Sequence, residues 1–389
     1  MMKILYISPL CSKRLIDIIH TSTGSNSGFA VQKFNRMVAK GLVANNIKVS
    51  TLSVPPGKKM PLWCHYKKER EDRISYRYIS FINLPLLKHL CVFLYSFGYV
   101  LLWGVNNRRE KAVICDVLTI SACLGAVLAS KINGIRTVGI MTDMPGLMVN
   151  LEAKTLYLKV ATATNRWYLS KFDCYVFLTE QMNVVNKKKR PYIVMEGLVD
   201  GDTIRSKAKV EKISPRVIMY AGGLHARYGL QMLIDAVKLL PNQDIQLVLY
   251  GDGPIVKELE KEIDKRIVYK GSAPNELIVE AERRATLLVN PRPTHEEFTK
   301  YSFPSKNMEY MASGTPLLTT KLPGMPKDYY PFIYLFEKET TEGYAKAIAD
   351  VLSLDAVILQ EKGRKACEFV LYEKNNKVQT RRIIDLLSC

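Results

Sequence analysis

The residues best suited to chemistry fall in one run of the second half, Asn290–Pro316. An apolar strand ends at Asn290, a polar loop follows, and the pattern predicts a helix opening near Ser302 or Phe303. Ser302 is a suitable N-cap, and Pro304 is tolerated in a first helical turn, where backbone N–H groups lack partners anyway. Gly314 then stops the helix and Thr315-Pro316 leads into the next strand. The opening turn would present the amides of Ser305 and Lys306 at the positive end of the helix dipole, an arrangement that suits a diphosphate. Glu309 follows Ser305 by four residues, so it lies on the same face about 5.4 Å further along. A carboxylate there can accept two hydroxyl donors from a ribose, and Lys306 can add charge to the phosphate. The blander reading is an amphipathic helix with Lys306 and Glu309 in solvent.

Glycines at other strand ends support the first reading. Gly222-Gly223 closes the strand that opens the second half, so backbone can approach a ligand closely. In open α/β sheets ligands sit outside the carboxyl ends of the strands. Arg227, in the next loop, is a natural phosphate partner or else a solvated loop arginine. Gly271-Ser-Ala-Pro274 ends another strand and is a candidate for a nucleobase. Gly251-Asp-Gly-Pro254 reads as a tight turn. In the first half, Asp143 follows a strand, where it can accept a hydrogen bond from an acceptor hydroxyl or act as its base. An Asp-x-Pro turn at a strand end is the plain alternative. Glu196 ends the last strand of that half.

Both halves alternate short β-branched runs with helical patterns, which predicts parallel sheets in α/β domains. The predicted strands are Lys3–Ile7, Lys48–Ser53, Val113–Ile120, Arg136–Met141, Cys174–Leu178 and Tyr192–Met195, then Val217–Tyr220, Gln246–Tyr250, Ile267–Lys270, Thr286–Asn290 and Pro316–Thr320. A helix from about Ala30 to Asn45 puts Val31, Phe34, Val38 and Leu42 on one face. Length suits two domains: residues 1–200, a polar hinge at 201–215, and residues 216–365. Residues 366–389 form a C-terminal helix able to pack back on the first domain.

The net charge of +19 is unevenly placed. Residues 1–200 hold 28 Lys+Arg against 12 Asp+Glu, while the remainder hold 28 against 25. A basic first half would be drawn to an acidic membrane surface, each apposed basic residue contributing on the order of 1 kcal/mol. Nucleic acid is not expected, since no helix-turn-helix, zinc-finger or RNA-binding signature is present. Leu90–Val105 carries no formal charge but is short for a span of about 20 residues. It reads as a core helix, a membrane-surface contact or, least of the three, a true span. The basic stretch Lys67–Arg70 through Arg73 and Arg77, interleaved with Trp63, Tyr66, Tyr76 and Tyr78, reads as membrane-facing or as a solvated loop. Eight scattered cysteines without a C-x-x-C pair point to reduced core thiols in a cytosolic protein, and to neither a zinc nor a disulfide framework. Lys3–Pro9 is too short for a signal-peptide core and reads as a first strand.

The order of these stretches resembles glycosyltransferase family 4, the "group 1" glycosyl transferases, over essentially the whole chain. The carrying residues are Tyr220–Gly229, Leu249–Pro254, Tyr269–Gly271 and Phe303–Pro316, the last similar to the second half of the family's E-x7-E motif. The resemblance implies a GT-B fold, two Rossmann-like domains facing a central cleft. It also implies a nucleoside-diphosphate-sugar donor in the second domain, where Phe303, Pro304, Ser305, Lys306 and Glu309 match the motif and Tyr301 takes its first position. A saccharide acceptor belongs to the first domain, and transfer is metal-independent, without a cofactor, and usually retaining. Gly24–Gly28 resembles the family's glycine loop, with Gly28 before a helix, and Glu196 faces the cleft in such folds. The chain departs from the pattern at three places: Tyr301 stands at the first acidic position, Thr142 at the histidine before Asp143, and Gly223 and Tyr228 at the usual basic pair. Arg227 would replace the missing lysine, with Lys306 or Arg292 supplying further charge. The basic first domain suggests an acceptor on a lipid diphosphate at the cytoplasmic membrane face, as in cell-surface polysaccharide assembly. A GT-B protein that binds without turnover and a nucleotide-sugar epimerase are the competing readings.

Overall fold

The computed structural model describes residues 2–23, 29–56, 61–106, 110–144, 163, 165–201 and 216–388. The chain divides into two units, one of Met1–Leu198 with Asn376–Cys389 and one of Val199–Asn375.

The first unit is built on an eight-stranded sheet: β1 (Lys3–Ser8), β2 (Lys48–Ser53), β4 (Glu69–Glu71), β5 (Ile74–Tyr78), β7 (Lys111–Asp116), β8 (Arg136–Met141), β9 (Cys174–Phe177) and β10 (Tyr192–Val194), in the order β10-β9-β8-β7-β1-β2-β5-β4. Only the β4–β5 pair is antiparallel. The short pair β3 (Trp63–Cys64) and β6 (Phe81–Ile82) stands apart from it. Ile4, Leu5, Tyr6 and Ile7 of β1 are all fully buried, as expected of a parallel strand covered on both faces. Helices α1 (Lys13–Thr23), α2 (Phe29–Ala44), α3 (Leu87–Asn106) and α4 (Ile120–Ile132) connect these strands.

Two expectations need correction here. The strand predicted over Val113–Ile120 stops at Asp116, whose side chain accepts from the Leu118 amide at 3.2 Å while its carbonyl accepts from the Thr119 amide at 3.0 Å. That turn frees Ile120 to open α4. The stretch Lys67–Tyr78 is neither a solvated loop nor wholly surface. Ile74, Tyr76 and Tyr78 alternate inward along β5 and are buried, with Ser75 and Arg77 facing out, the period of two that defines a half-buried strand.

The second unit has a six-stranded, fully parallel sheet of β11 (Arg216–Ala221), β12 (Ile245–Tyr250), β13 (Ile267–Tyr269), β14 (Leu287–Asn290), β15 (Leu317–Thr319) and β16 (Tyr334–Leu335), ordered β13-β12-β11-β14-β15-β16. Its helices include α5 (Leu230–Leu239), α6 (Asn275–Arg284), α7 (Ser305–Ser313), α8 (Thr341–Leu352) and α9 (Ala356–Glu373). Leu230, Leu233, Ile234 and Val237 of α5 are buried against the sheet.

The chain returns to the first unit later than residue 366. Helix α9 runs through that position within the second unit, and the return begins at Asn376 with α10 (Asn376–Ser388). Ile383, Leu386 and Leu387 of α10 join the first unit's core. Gly41 on α2 makes the close approach possible: a Cβ there would lie 2.7 Å from the Asn376 carbonyl carbon. Asn45 reinforces the contact by donating to the Lys377 carbonyl at 2.7 Å.

Candidate functional site

Because every strand of the second sheet is parallel, the loops after β11, β12, β13 and β14 leave from one edge. Gly222, Gly223, Arg227, Gly271 and the Tyr301–Glu309 segment are therefore gathered there. The loops are tied by backbone. The Gly222 amide donates to the Tyr250 carbonyl at 3.0 Å and the Gly251 amide to the Gly271 carbonyl at 2.9 Å. Gly251 has φ +132° and Gly271 has φ +71°, so both turns use conformations that favour glycine. Gly251–Pro254 is thus a structural turn seated under the Gly222–Leu224 loop.

Helix α7 opens at Ser305, not at Ser302. Pro304 holds extended backbone as the N-cap and makes no side-chain cap. Ser302 is diverted: its Oγ accepts from Arg292 Nη1 at 3.1 Å. The Asn307 amide donates to Pro304 at 3.0 Å, which leaves Ser305 and Lys306 as the amides at the first two helical positions, without intrahelical acceptors. Tyr310, fully buried, fixes the helix to the sheet: its hydroxyl accepts from the Ala221 amide at 2.7 Å and lies 3.1 Å from the Ala221 carbonyl. Phe303 and Met308 sit in the core beneath. Asn290 Nδ2, at the end of β14, donates to Asn307 Oδ1 at 2.6 Å.

Lys306 does not extend past the helix end. Its ammonium pairs with Glu309 at 3.1 Å, both side chains being partly exposed. Arg227 is likewise engaged, 3.7 Å from Glu296 and over the Phe298 ring at 4.4 Å. Arg292, two residues past β14, lies over the rings of Tyr228 and Phe298 at 4.9 and 5.5 Å. Burial disfavours its charge, and the nearby Arg227 adds to this. Burial also pushes the Tyr220 phenol up to about 12. Tyr301 is partly buried beside this cluster and provides no carboxylate.

In the first unit Thr142 and Asp143 follow β8 and Glu196 follows β10, at the carboxyl edge of that sheet. Gly28 lies outside the described residues, as does Pro145. Burial raises the Asp143 carboxyl above the usual carboxylate range. Asp116, which the sequence reading did not single out, ends β7 on the same edge and is 2% exposed. It accepts from Asn35 Nδ2 at 3.1 Å, and Asn35 in turn accepts from the buried Tyr6 hydroxyl. Burial raises Asp116, the hydrogen bonds from Asn35 and Leu118 oppose this, and the Asp143 charge raises it further. Only an ionisable residue at a buried strand end could have flagged it. Among the described residues no three His, Cys, Asp or Glu side chains gather as a cation site would need.

Residues 215–354 match the family model described as "Glycosyl transferases group 1". No curated protein matches the chain in sequence. Among solved structures, HepE of Anabaena in complex with UDP superposes with a TM-score of 0.66 at 15% identity, over 99% of each chain. A sucrose-phosphate synthase of Thermosynechococcus elongatus gives 0.63 at 13% identity, over 100% of this chain and 99% of that one. The lipopolysaccharide outer core galactosyltransferase WaaB gives 0.61 at 16% identity, over 99% of each chain. The second unit thus carries the match to the group 1 glycosyl transferases, and the chain has the GT-B fold of these solved structures.

Proposed function

We propose that this protein moves a hexosyl group, without a metal ion or other cofactor and with retention of configuration, from a nucleoside-diphosphate sugar to a saccharide carried on a lipid diphosphate. The observation that carries the donor half is the opening turn of α7, whose first two amides lack intrahelical acceptors and lie at the sheet edge that also bears Gly222 and Gly223. In this reading the Ser305 and Lys306 amides meet the diphosphate, and Glu309 accepts from donor hydroxyls. The loop at Gly271 takes the base. Support comes from HepE, solved with UDP, and from the E. coli trehalose-6-phosphate structure bound with UDP-2-fluoro glucose. We assign the acceptor to the first unit, with Asp143 receiving the hydroxyl proton. Incubation with nucleotide sugars and lipid-linked saccharides tests this: a glycosylated product should form and vanish in Glu309→Ala. Binding of a nucleotide sugar with no turnover would favour a degraded enzyme.

The place of action we propose is the cytoplasmic face of the inner membrane, in cell-surface polysaccharide assembly, and α3 supports it. This helix is long and apolar enough to cross a membrane by length and composition. Val92, Ser96, Val100 and Gly104 are buried, and Ser96 Oγ donates to the Ala122 carbonyl of α4 at 2.6 Å. The opposite stripe, Leu90, Leu94, Leu102 and Val105, is 52–70% exposed, and Leu86 just before the helix is 83% exposed. A helix held on one side by α4 and apolar on the other suits the interface of a bilayer. Lys88 and Arg77, which lie over the rings of Phe81 and Tyr99, suit acidic headgroups. In flotation with acidic liposomes at low salt the protein should rise with the vesicles. The double variant Leu90→Asp/Leu94→Asp should stay below; equal flotation of the two would refute α3 as the contact.

A further inference from the structure

Arg227, Arg292 and Lys306 stand near the opening turn of α7, at the carboxyl edge of the second sheet, and two of these three are already neutralised. Arg227 is matched by Glu296 and Lys306 by Glu309. Arg292 has no carboxylate within ion-pair distance among the described residues. Its guanidinium is instead held by the faces of Tyr228 and Phe298 and by one hydrogen bond to Ser302, and its Nε is buried without a hydrogen-bond partner. Aromatic faces and a hydroxyl orient a guanidinium but do not cancel its charge. A desolvated cation with no counter-ion is costly unless an anion completes it, and burial already disfavours the charged form. The hydrogen bond to Ser302 places Arg292 beside the loop that leads into the opening turn of α7.

We infer that Arg292 is the cation that binds the donor's diphosphate in this chain, filling the role left open by Gly223 and Tyr228. The inference rests on the donor-site reading. Tyr228 then keeps a purpose: where a charged residue would touch phosphate, its ring carries the arginine that does so. A planar guanidinium suits two phosphate oxygens at once, which a lysine ammonium cannot match.

Inorganic pyrophosphate, which has no base or sugar, is the probe, with UDP beside it. Titration calorimetry and thermal melts are run on the full chain, on Arg292→Met, Arg292→Lys, and Lys257→Met as an exposed-charge control. Arg292→Met should weaken both ligands roughly 10- to 100-fold, and Arg292→Lys should recover part of that. Without ligand, Arg292→Met should melt at or above the wild-type temperature, because an uncompensated charge has gone, and it should lose the upward shift that pyrophosphate gives. A merely structural strut predicts the reverse, a lowered melting temperature with unchanged affinity in the folded fraction, and that result overturns the inference. Should Arg292→Met not fold, wild-type affinity in Arg292→Lys overturns it equally. Wild-type protein that binds neither ligand sinks the donor-site reading itself, whereas binding untouched by Arg292→Met sinks only this inference.

Discussion

Replacing Gly251 with alanine puts a methyl group where the second unit has no room for one. The new Cβ would lie 2.9 Å from the Gly222 carbonyl carbon, closer still to its oxygen, and 3.5 Å from the Gly222 nitrogen. All three are backbone atoms, so the obstacle cannot rotate away. The φ of +132° adds strain of its own, about 1–3 kcal/mol for a side chain held in such a region, and overpacking adds ~1–3 kcal/mol more. A total of roughly 2–6 kcal/mol lowers the melting temperature of a unit this size by about 4–24 °C. Gly271→Ala is the internal comparison. It shares a hydrogen bond with the same turn and also has positive φ, yet a Cβ there meets nothing within 4 Å, so only backbone strain of roughly 1–2 kcal/mol remains. Differential scanning calorimetry of the two variants should separate them clearly, with Gly251→Ala also weakening nucleoside-diphosphate binding because the Gly222–Gly223 loop must shift. Equal melting temperatures for Gly251→Ala and wild type would refute the reasoning.

Two further outcomes follow from the first unit. Gly41→Ala drives a methyl against the Asn376 carbonyl and Thr380 Oγ1 of α10; it should destabilise that unit by about 1–3 kcal/mol and raise hydrogen exchange across Asn376–Ser388, which protection at wild-type levels would contradict. Asp116 is raised in the folded state, so the native protein binds its proton more tightly than the unfolded chain and stability falls as pH rises from the ordinary carboxylate value through the raised one. The melting-temperature difference between Asp116→Asn and wild type should therefore move in favour of the variant between acidic and neutral pH; a pH-independent difference would contradict it.

Much of the fold was legible because the parallel strands read as short β-branched runs that alternate with helical patterns. Lys48–Ser53 and Arg136–Met141 fall at the predicted bounds. Strand β5 was hidden because the outward Ser75 and Arg77 alternate with tyrosines, which look interfacial until Tyr76 and Tyr78 are seen to be core. The delayed return at Asn376 was hidden as well, since helices α9 and α10 meet with only Lys374 and Asn375 between them. At the site, the opening turn of α7 and Glu309 follow from local spacing. What spacing cannot reveal is pairing through space: Ser302 diverted to Arg292, Lys306 turned onto Glu309, and Tyr228 carrying a guanidinium from 64 residues away.

The most direct test of the central claim is amide hydrogen exchange with the tightest-binding nucleoside diphosphate at saturation. The account predicts that protection rises at residues 303–309, with the Ser305 and Lys306 amides slowed most, and that the Gly222–Gly223 loop follows. Saturating ligand that leaves residues 303–309 exchanging as in the free protein would contradict it.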